Sequence, residues 1–173
     1  MMKVLLIILI SLASIILLGI IVNLIFYFVF KARIKKFDVG IALTLDCRYQ
    51  LSLELVELYE KNNLVIDEEL KKHIQSFDRE VLIHNKCEDN IQLKRELYYI
   101  SSTLISLGEQ NSEIAQDESF IHIIESINEL DKIYRSSVIS YNTEVLGYNY
   151  WLNFPSLKLI FKLAKRKERQ LIS

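Results

Sequence analysis

One proline, four glycines, two cysteines and three histidines are all that 173 residues hold of those types. Each scarcity removes a class of structure. Gly40, Gly108 and Gly147 are the only glycines between Phe37 and Pro155, too few punctuators for many short strands joined by tight turns, so long helices are predicted. Cys47 and Cys87 have no spacing that suggests a disulfide framework or a zinc site, and read as reduced thiols. Nucleophile elbows, Gly-rich phosphate loops and His-Glu-x-x-His are all missing. Glu69 with His73, His84 with Glu88 and His122 with Glu125 fall at helical spacing, but a di-iron bundle needs Glu-x-x-His on two helices, and none occurs. The expectation is a non-enzymatic protein without metal or cofactor.

Charge is missing altogether from residues 4–30, where the only polar side chains are Ser11, Ser14, Asn23 and Tyr27. An uncharged apolar run of more than about 18 residues reads as a transmembrane helix. At a rise of about 1.5 Å per residue it reaches roughly 40 Å, enough to cross a hydrocarbon core of about 30 Å with some tilt. A removable secretory signal has an apolar core of about 7–15 residues and a small-x-small site. This run is far longer and has no such site before Lys31, so a retained single-pass anchor is expected.

Residues 31–37 form a basic juxtamembrane segment with Lys31, Arg33, Lys35 and Lys36, whereas only Lys3 and the amino terminus precede the run. By the positive-inside rule the C-terminal domain, residues 38–173, faces the cytoplasm at the cell membrane. That domain is polarised in charge. Asp38 to Pro155 carries 21 acidic and 10 basic residues, and the tail from Ser156 onward carries six basic residues against Glu168. Nucleic acid is not an expected partner, because the acidic body repels phosphate.

Apolar periodicity supplies the architecture. Phe37, Ile41, Leu45, Tyr49, Leu53 and Val56 recur in steps of four and three, and nothing breaks the chain between them and the apolar run. One helix is therefore expected to run from bilayer into bundle. After Lys61-Asn62-Asn63, a second helix is predicted from Asp67 with the seam Leu70, Ile74, Phe77, Val81 and His84. A kink or loop at residues 85–90 separates it from the seam Leu93, Leu97, Ile100, Leu104 and Leu107. The clearest stripe is Phe120, Ile123, Ile127, Leu130, Tyr134, Val138, Tyr141, Val145, Tyr148 and Leu152, stopped at Phe154-Pro155. Each helix has one apolar stripe to cover, so the fold class is all-α: a transmembrane helix followed by an elongated antiparallel bundle of about four long helices.

Two features carry candidate interactions. Tyr141 and Tyr148 lie seven apart on one helix face, each followed by an asparagine, Asn142 and Asn149. The four form a polar recognition strip for a partner, or fix helix register from the core rim. In the tail, Leu157, Leu159, Ile160, Phe161 and Leu163 alternate with Lys158, Lys162, Lys165, Arg166 and Lys167. Such a basic amphipathic segment suits an anionic lipid surface or a solvated final helix, and with Lys31, Arg33, Lys35 and Lys36 it forms the candidate lipid-contact set.

Read together, Tyr141-Asn142, Val145, Tyr148-Asn149 and Phe154-Pro155, with Ile114 and Phe120 upstream and Asp38-Val39, Leu43, Arg48-Tyr49, Leu53 and Leu55-Val56 near the front, resemble the LemA family of bacterial membrane-anchored helical proteins. The likeness spans nearly the whole chain, with departures at Val138 and at Asp46-Cys47. It implies a bundle of about four helices on a single-pass anchor with no established catalytic role. The functional expectation is a membrane-anchored scaffold or adaptor that presents an acidic bundle surface to a protein partner. The alternative is a membrane-surface or membrane-shaping element that uses the basic tail as a second lipid contact.

Overall fold

The computed structural model describes residues 2–155, 158, 161–162 and 165–172. Among them every regular element is helical. α1 spans Met2–Lys61, α2 Glu68–Gln75, α3 Arg79–His84, α4 Ile91–Glu109 and α5 Glu118–Leu152, with a single 3-10 turn at Ile114–Gln116 before α5. The chain divides into two compact units, Met1–Lys36 with Tyr141–Leu171, and Phe37–Ser140 with Ile172–Ser173.

α1 is one uninterrupted helix of 60 residues, as the absence of proline and of any polar break predicts. Near its N-terminus α1 is long and apolar enough to cross a membrane, and no residue in the most apolar stretch of 18 is buried by protein. Its end is sharply defined: Asn63 takes a left-handed φ of 55°, and the Leu64 amide donates to the Tyr59 carbonyl at 2.9 Å. Asparagine tolerates that conformation better than branched residues do.

Three of the later helices, α2, α3 and α5, start on acidic caps, whereas α4 starts on Asn90 without a side-chain cap. Asp67 accepts from the Glu69 amide at 3.2 Å, Asp78 from the Val81 amide at 2.9 Å, and Asp117 from the Ser119 amide at 2.7 Å. Each carboxylate meets a donor that the helix itself leaves orphaned. The Asp78 cap is the departure from the predicted second helix. Instead of one long helix with the seam continuing to Val81 and His84, the chain breaks at residues 76–78 and restarts as α3. The restart resets the phase, so Leu82 becomes fully buried while Val81 and His84 are exposed. The all-α expectation holds, and among the described residues the long helices are α1, α4 and α5, with the short α2 and α3 between α1 and α4.

In the Phe37–Ser140 unit the core joins Leu55 and Tyr59 of α1, Leu70 and Ile74 of α2, Ile100 and Leu104 of α4, and Phe120, Ile123 and Ile127 of α5. The Tyr59 hydroxyl is buried with its ring and donates to the Leu104 carbonyl at 2.7 Å, which meets its polar requirement. Gly108 makes room for that ring: a Cβ there would lie 2.5 Å from the Tyr59 oxygen and 2.7 Å from Phe120 Cζ. On the outer side, Arg79 pairs with both Asp46 oxygens at 2.5 and 3.0 Å. That contact ties α3 to α1.

Candidate functional site

The unit of Met1–Lys36 with Tyr141–Leu171 carries the exposed apolar end of α1. From Val4 to Leu18 the apolar side chains whose exposure is described lie open to solvent on every side of α1. Further along, protein takes over: Tyr27 is 2% exposed, its ring tilted against Phe161 at 4.4 Å and against Tyr148 at 5.3 Å. The uncharged run therefore divides. The residues of 4–19 whose exposure is described are bare, a length of about 24 Å at the helical rise; Ile20, Asn23 and Leu24 are half-buried, and Tyr27 and Phe30 pack against the end of α5. A Cβ on Gly147 would lie 2.7 Å from Phe30 Cζ, so a small residue on α5 admits an aromatic from α1.

Beyond the bare residues, aromatic rings gather. Phe26 stacks on Trp151 with centroids 5.1 Å apart and planes within 3°. Trp151 also meets Tyr150 edge-on at 5.4 Å and Phe154 at 5.3 Å. Tyrosine and tryptophan concentrate at membrane–water interfaces because their rings are apolar and their tips are polar. The basic residues Lys31, Arg33, Lys35 and Lys36 follow the ring cluster between one and three turns further along α1.

The two Tyr-Asn pairs belong to this unit and work inward. Tyr141 is fully buried and its hydroxyl accepts from Arg169 Nη2 at 3.1 Å. The Tyr148 hydroxyl donates to the Lys167 carbonyl at 3.4 Å. Asn149 holds residue 169 by its main chain, donating to the Arg169 carbonyl at 2.9 Å and accepting from the Arg169 amide at 3.0 Å. Asn142 is half-buried. Three of the four predicted interaction residues thus clasp the chain's own irregular tail. Nothing in sequence spacing announces such a contact, because the partner is a main chain some 20 residues away.

All nine residues of the predicted lipid-contact set are exposed: Lys31, Arg33, Lys35, Lys36, Lys158, Lys162, Lys165, Arg166 and Lys167. Arg33 also reaches Glu144 Oε1 at 3.3 Å. Of the apolar residues expected between the tail cations, Phe161 is buried on Tyr27, and Leu157, Leu159, Ile160 and Leu163 lie outside the described residues.

The Phe37–Ser140 unit holds a polar node that sequence reading did not single out. Arg48 is 5% exposed. Its Nε donates to Ser101 Oγ at 2.8 Å, its Nη1 pairs with Asp131, and its guanidinium carbon sits 3.8 Å from the Tyr98 ring centre. Tyr98 returns a hydrogen bond to the same Asp131 oxygen at 2.9 Å. One cation thus joins α1, α4 and α5, with a ring against the guanidinium, a hydroxyl on Nε and a carboxylate on Nη1. Burial, followed by the hydrogen bond to Asp131, raises the Tyr98 pKa and keeps the phenol protonated.

Beside the node a groove of about 500 Å³ opens between α4 and α5, lined by Lys94, Tyr98, Asp131, Tyr134, Arg135, Val138 and Ile139. The Lys94 ammonium lies 4.9 Å from the Tyr134 ring centre. Desolvation, and then the neighbouring Arg95, lower its pKa. Cys87 is buried, its Sγ donating to the Asp38 carbonyl at 3.4 Å, and Cys47 is exposed; neither is in a disulfide. Among the described residues no three His, Cys, Asp or Glu side chains converge as metal ligands would. Compared with known proteins, the chain matches no family model, no curated protein and no solved structure.

Proposed function

We propose that this chain is a single-pass membrane protein whose helical units form a scaffold for a protein partner at the bilayer. One observation carries the reading: the apolar N-terminal stretch of α1 is left bare by the protein, and the same helix runs on without a break into a half whose apolar side chains are buried in a core. Such a helix wants lipid around one half and side chains around the other. The packed half belongs to an acidic unit, with 20 acidic and 10 basic residues from Phe37 to Ser140, and a field of that sign steers the approach of charged partners. The Tyr-Asn and Arg-Tyr spacing supports placing the chain with the LemA family, and the cationic residues after the span support a cytoplasmic domain in a bacterial cell membrane.

Crosslinking of the full-length protein in its native membrane tests the scaffold. A reproducible heterologous partner is expected, and a chain that crosslinks to no other protein overturns the reading. Sidedness is tested at Cys47, the exposed thiol. An impermeant maleimide is expected to label it only after the membrane is permeabilised.

The Trp151 cluster favours a second reading, in which the end of α5 and the cationic tail rest on the headgroups. Trp151 is the only tryptophan, so its fluorescence reports one position. Brominated lipids are expected to quench it most strongly when the bromine sits near the headgroup. No quenching at any depth removes this contact.

A further inference from the structure

We propose that the groove between α1 and α5 is a docking site for a cationic amphipathic helix of a partner protein. This deepens the scaffold reading and rests on it for the existence of a partner. Within the Phe37–Ser140 unit the two helices run antiparallel: Arg48 meets Asp131, and further along α1 Tyr59 meets Phe120, further back along α5. Between them a groove of about 340 Å³ opens, and Leu51 and Glu54 of α1 face it together with Glu129, Leu130 and Ile133 of α5.

The floor is apolar and incompletely covered. Leu51 and Leu130 are half-buried, and Ile133 is 46% exposed, so a partner can take further apolar area out of water here. Charge names the occupant. Glu54 and Glu129 stand on opposite walls, both exposed. Because the helices are antiparallel, Glu57 and Glu125 follow about one turn on toward the same end. Among the described residues none of these four carboxylates forms an ion pair, not even Glu129 with Lys132, the nearest cation along α5. The unit carries 20 acidic against 10 basic residues, so its field has the same sign as the rim.

An acidic rim over an apolar floor takes a ligand with the complementary arrangement: lysines or arginines flanking an apolar stripe. Two packed helices leave a furrow between their ridges, and the ridge of a third helix fits it, with apolar residues at i, i+3 or i+4 and i+7 set into the floor. An extended strand finds no edge to pair with, because the backbone groups of α1 and α5 are spent within their own helices. Phosphate-bearing surfaces, whether nucleic acid or anionic lipid, meet carboxylates and are repelled.

The test uses the full chain in nanodiscs of zwitterionic lipid, with empty nanodiscs as the blank, and fluorescence anisotropy with three labelled peptides. The first is a lysine-rich helix with leucines along one face, the second has the same composition in scrambled order, and the third replaces each lysine by glutamate. The first is expected to bind, with affinity falling as salt rises, and the other two to bind about tenfold or more weaker. Glu129→Lys and Ile133→Ser alter exposed side chains of the groove, and each is expected to weaken the first peptide by about tenfold. Glu96→Lys makes the same charge change on α4 and is expected to shift affinity by less than about twofold. Cys47 lines the groove and is the exposed thiol, so bound peptide is expected to slow its labelling by a maleimide several-fold.

No binding of the first peptide, equal binding of the scrambled or glutamate peptide, or unchanged affinity in both groove variants overturns the proposal. So does equal weakening by Glu96→Lys, which would reduce the attraction to diffuse charge. Native-membrane crosslinking of Glu129→Lys separates the two levels of the argument. If the wild-type partner is recovered undiminished, the groove is wrong and the scaffold stands; if neither protein yields a partner, the scaffold itself fails. A wild-type chain that crosslinks through Cys47 only to its own copies makes the occupant a second copy and overturns the choice of partner.

Discussion

The guanidinium carbon of Arg48 sits over the ring of Tyr98, 3.8 Å from its centre, while both side chains reach Asp131. A charge buried on α1 is thereby balanced by groups from α4 and α5. Removing it strands a carboxylate and a hydroxyl. Arg48→Met is expected to cost about 3 kcal/mol, the scale for breaking a buried ion pair from one side. Arg48→Lys recovers only part, because an ammonium cannot stack and pair at once. Urea unfolding of the two variants in the same detergent checks this. A double mutant with Asp131→Asn that is no worse than Arg48→Met alone would identify the stranded charge as the cause.

Tyr134 gives a pH signature. Burial, then the neighbouring Cys87, raise its pKa from 10.0 to about 12. The folded state therefore keeps its proton where the unfolded chain has lost it. Stability from this group is fully present below about pH 10 and is lost as pH climbs toward about 12. Phenolate absorbance followed against pH is expected to show a late-ionising class that Tyr134→Phe reduces, while Tyr134→Phe also flattens the alkaline loss of stability.

Two glycines test packing. At Gly108 an added methyl meets Tyr59 and Phe120, and at Gly147 it meets Phe30. Neither glycine has a positive φ, so alanine faces crowding and no backbone strain, and alanine is otherwise the better helix former. Crowding wins when a core ring has to move. Each substitution is expected to destabilise by about 1–3 kcal/mol. Gly40, whose Cβ would meet nothing within 4 Å, is the control: Gly40→Ala is expected to be neutral or mildly stabilising.

The tail clasp gives a proteolytic test. Asn149 makes two hydrogen bonds to the main chain at residue 169. Asn149→Ala removes both and is expected to speed trypsin cleavage at Arg166, Lys167 and Arg169 several-fold, with little change at sites in α2. Asn149→Asp keeps the acceptor and loses the donor, so an intermediate rate is expected.

What the sequence discloses and what it hides follow from the kind of contact. α5 is legible throughout because its stripe is apolar at nearly every step; of its ten predicted members, only Leu130 and Val138 are half-exposed. The C-terminal half of α1 misleads, because polar Arg48 and Ser52 occupy buried positions. A seam drawn through apolar letters alone passes instead through Tyr49 and Leu53, which are only half-buried. The α2–α3 break hides behind Asp78, whose capping role depends on a backbone turn that apolar spacing does not record. The groove between α4 and α5 shows least of all. Lys94 and Arg135 are ordinary surface cations in the sequence, and become neighbours of one cavity only when α4 and α5 come together.

Asn149 recognises the tail by its amide and carbonyl, groups that every residue but proline has. The hold on position 169 is therefore nearly blind to the side chains around it. Lys165, Arg166 and Lys167, all exposed, can change in charge or order without loosening that hold.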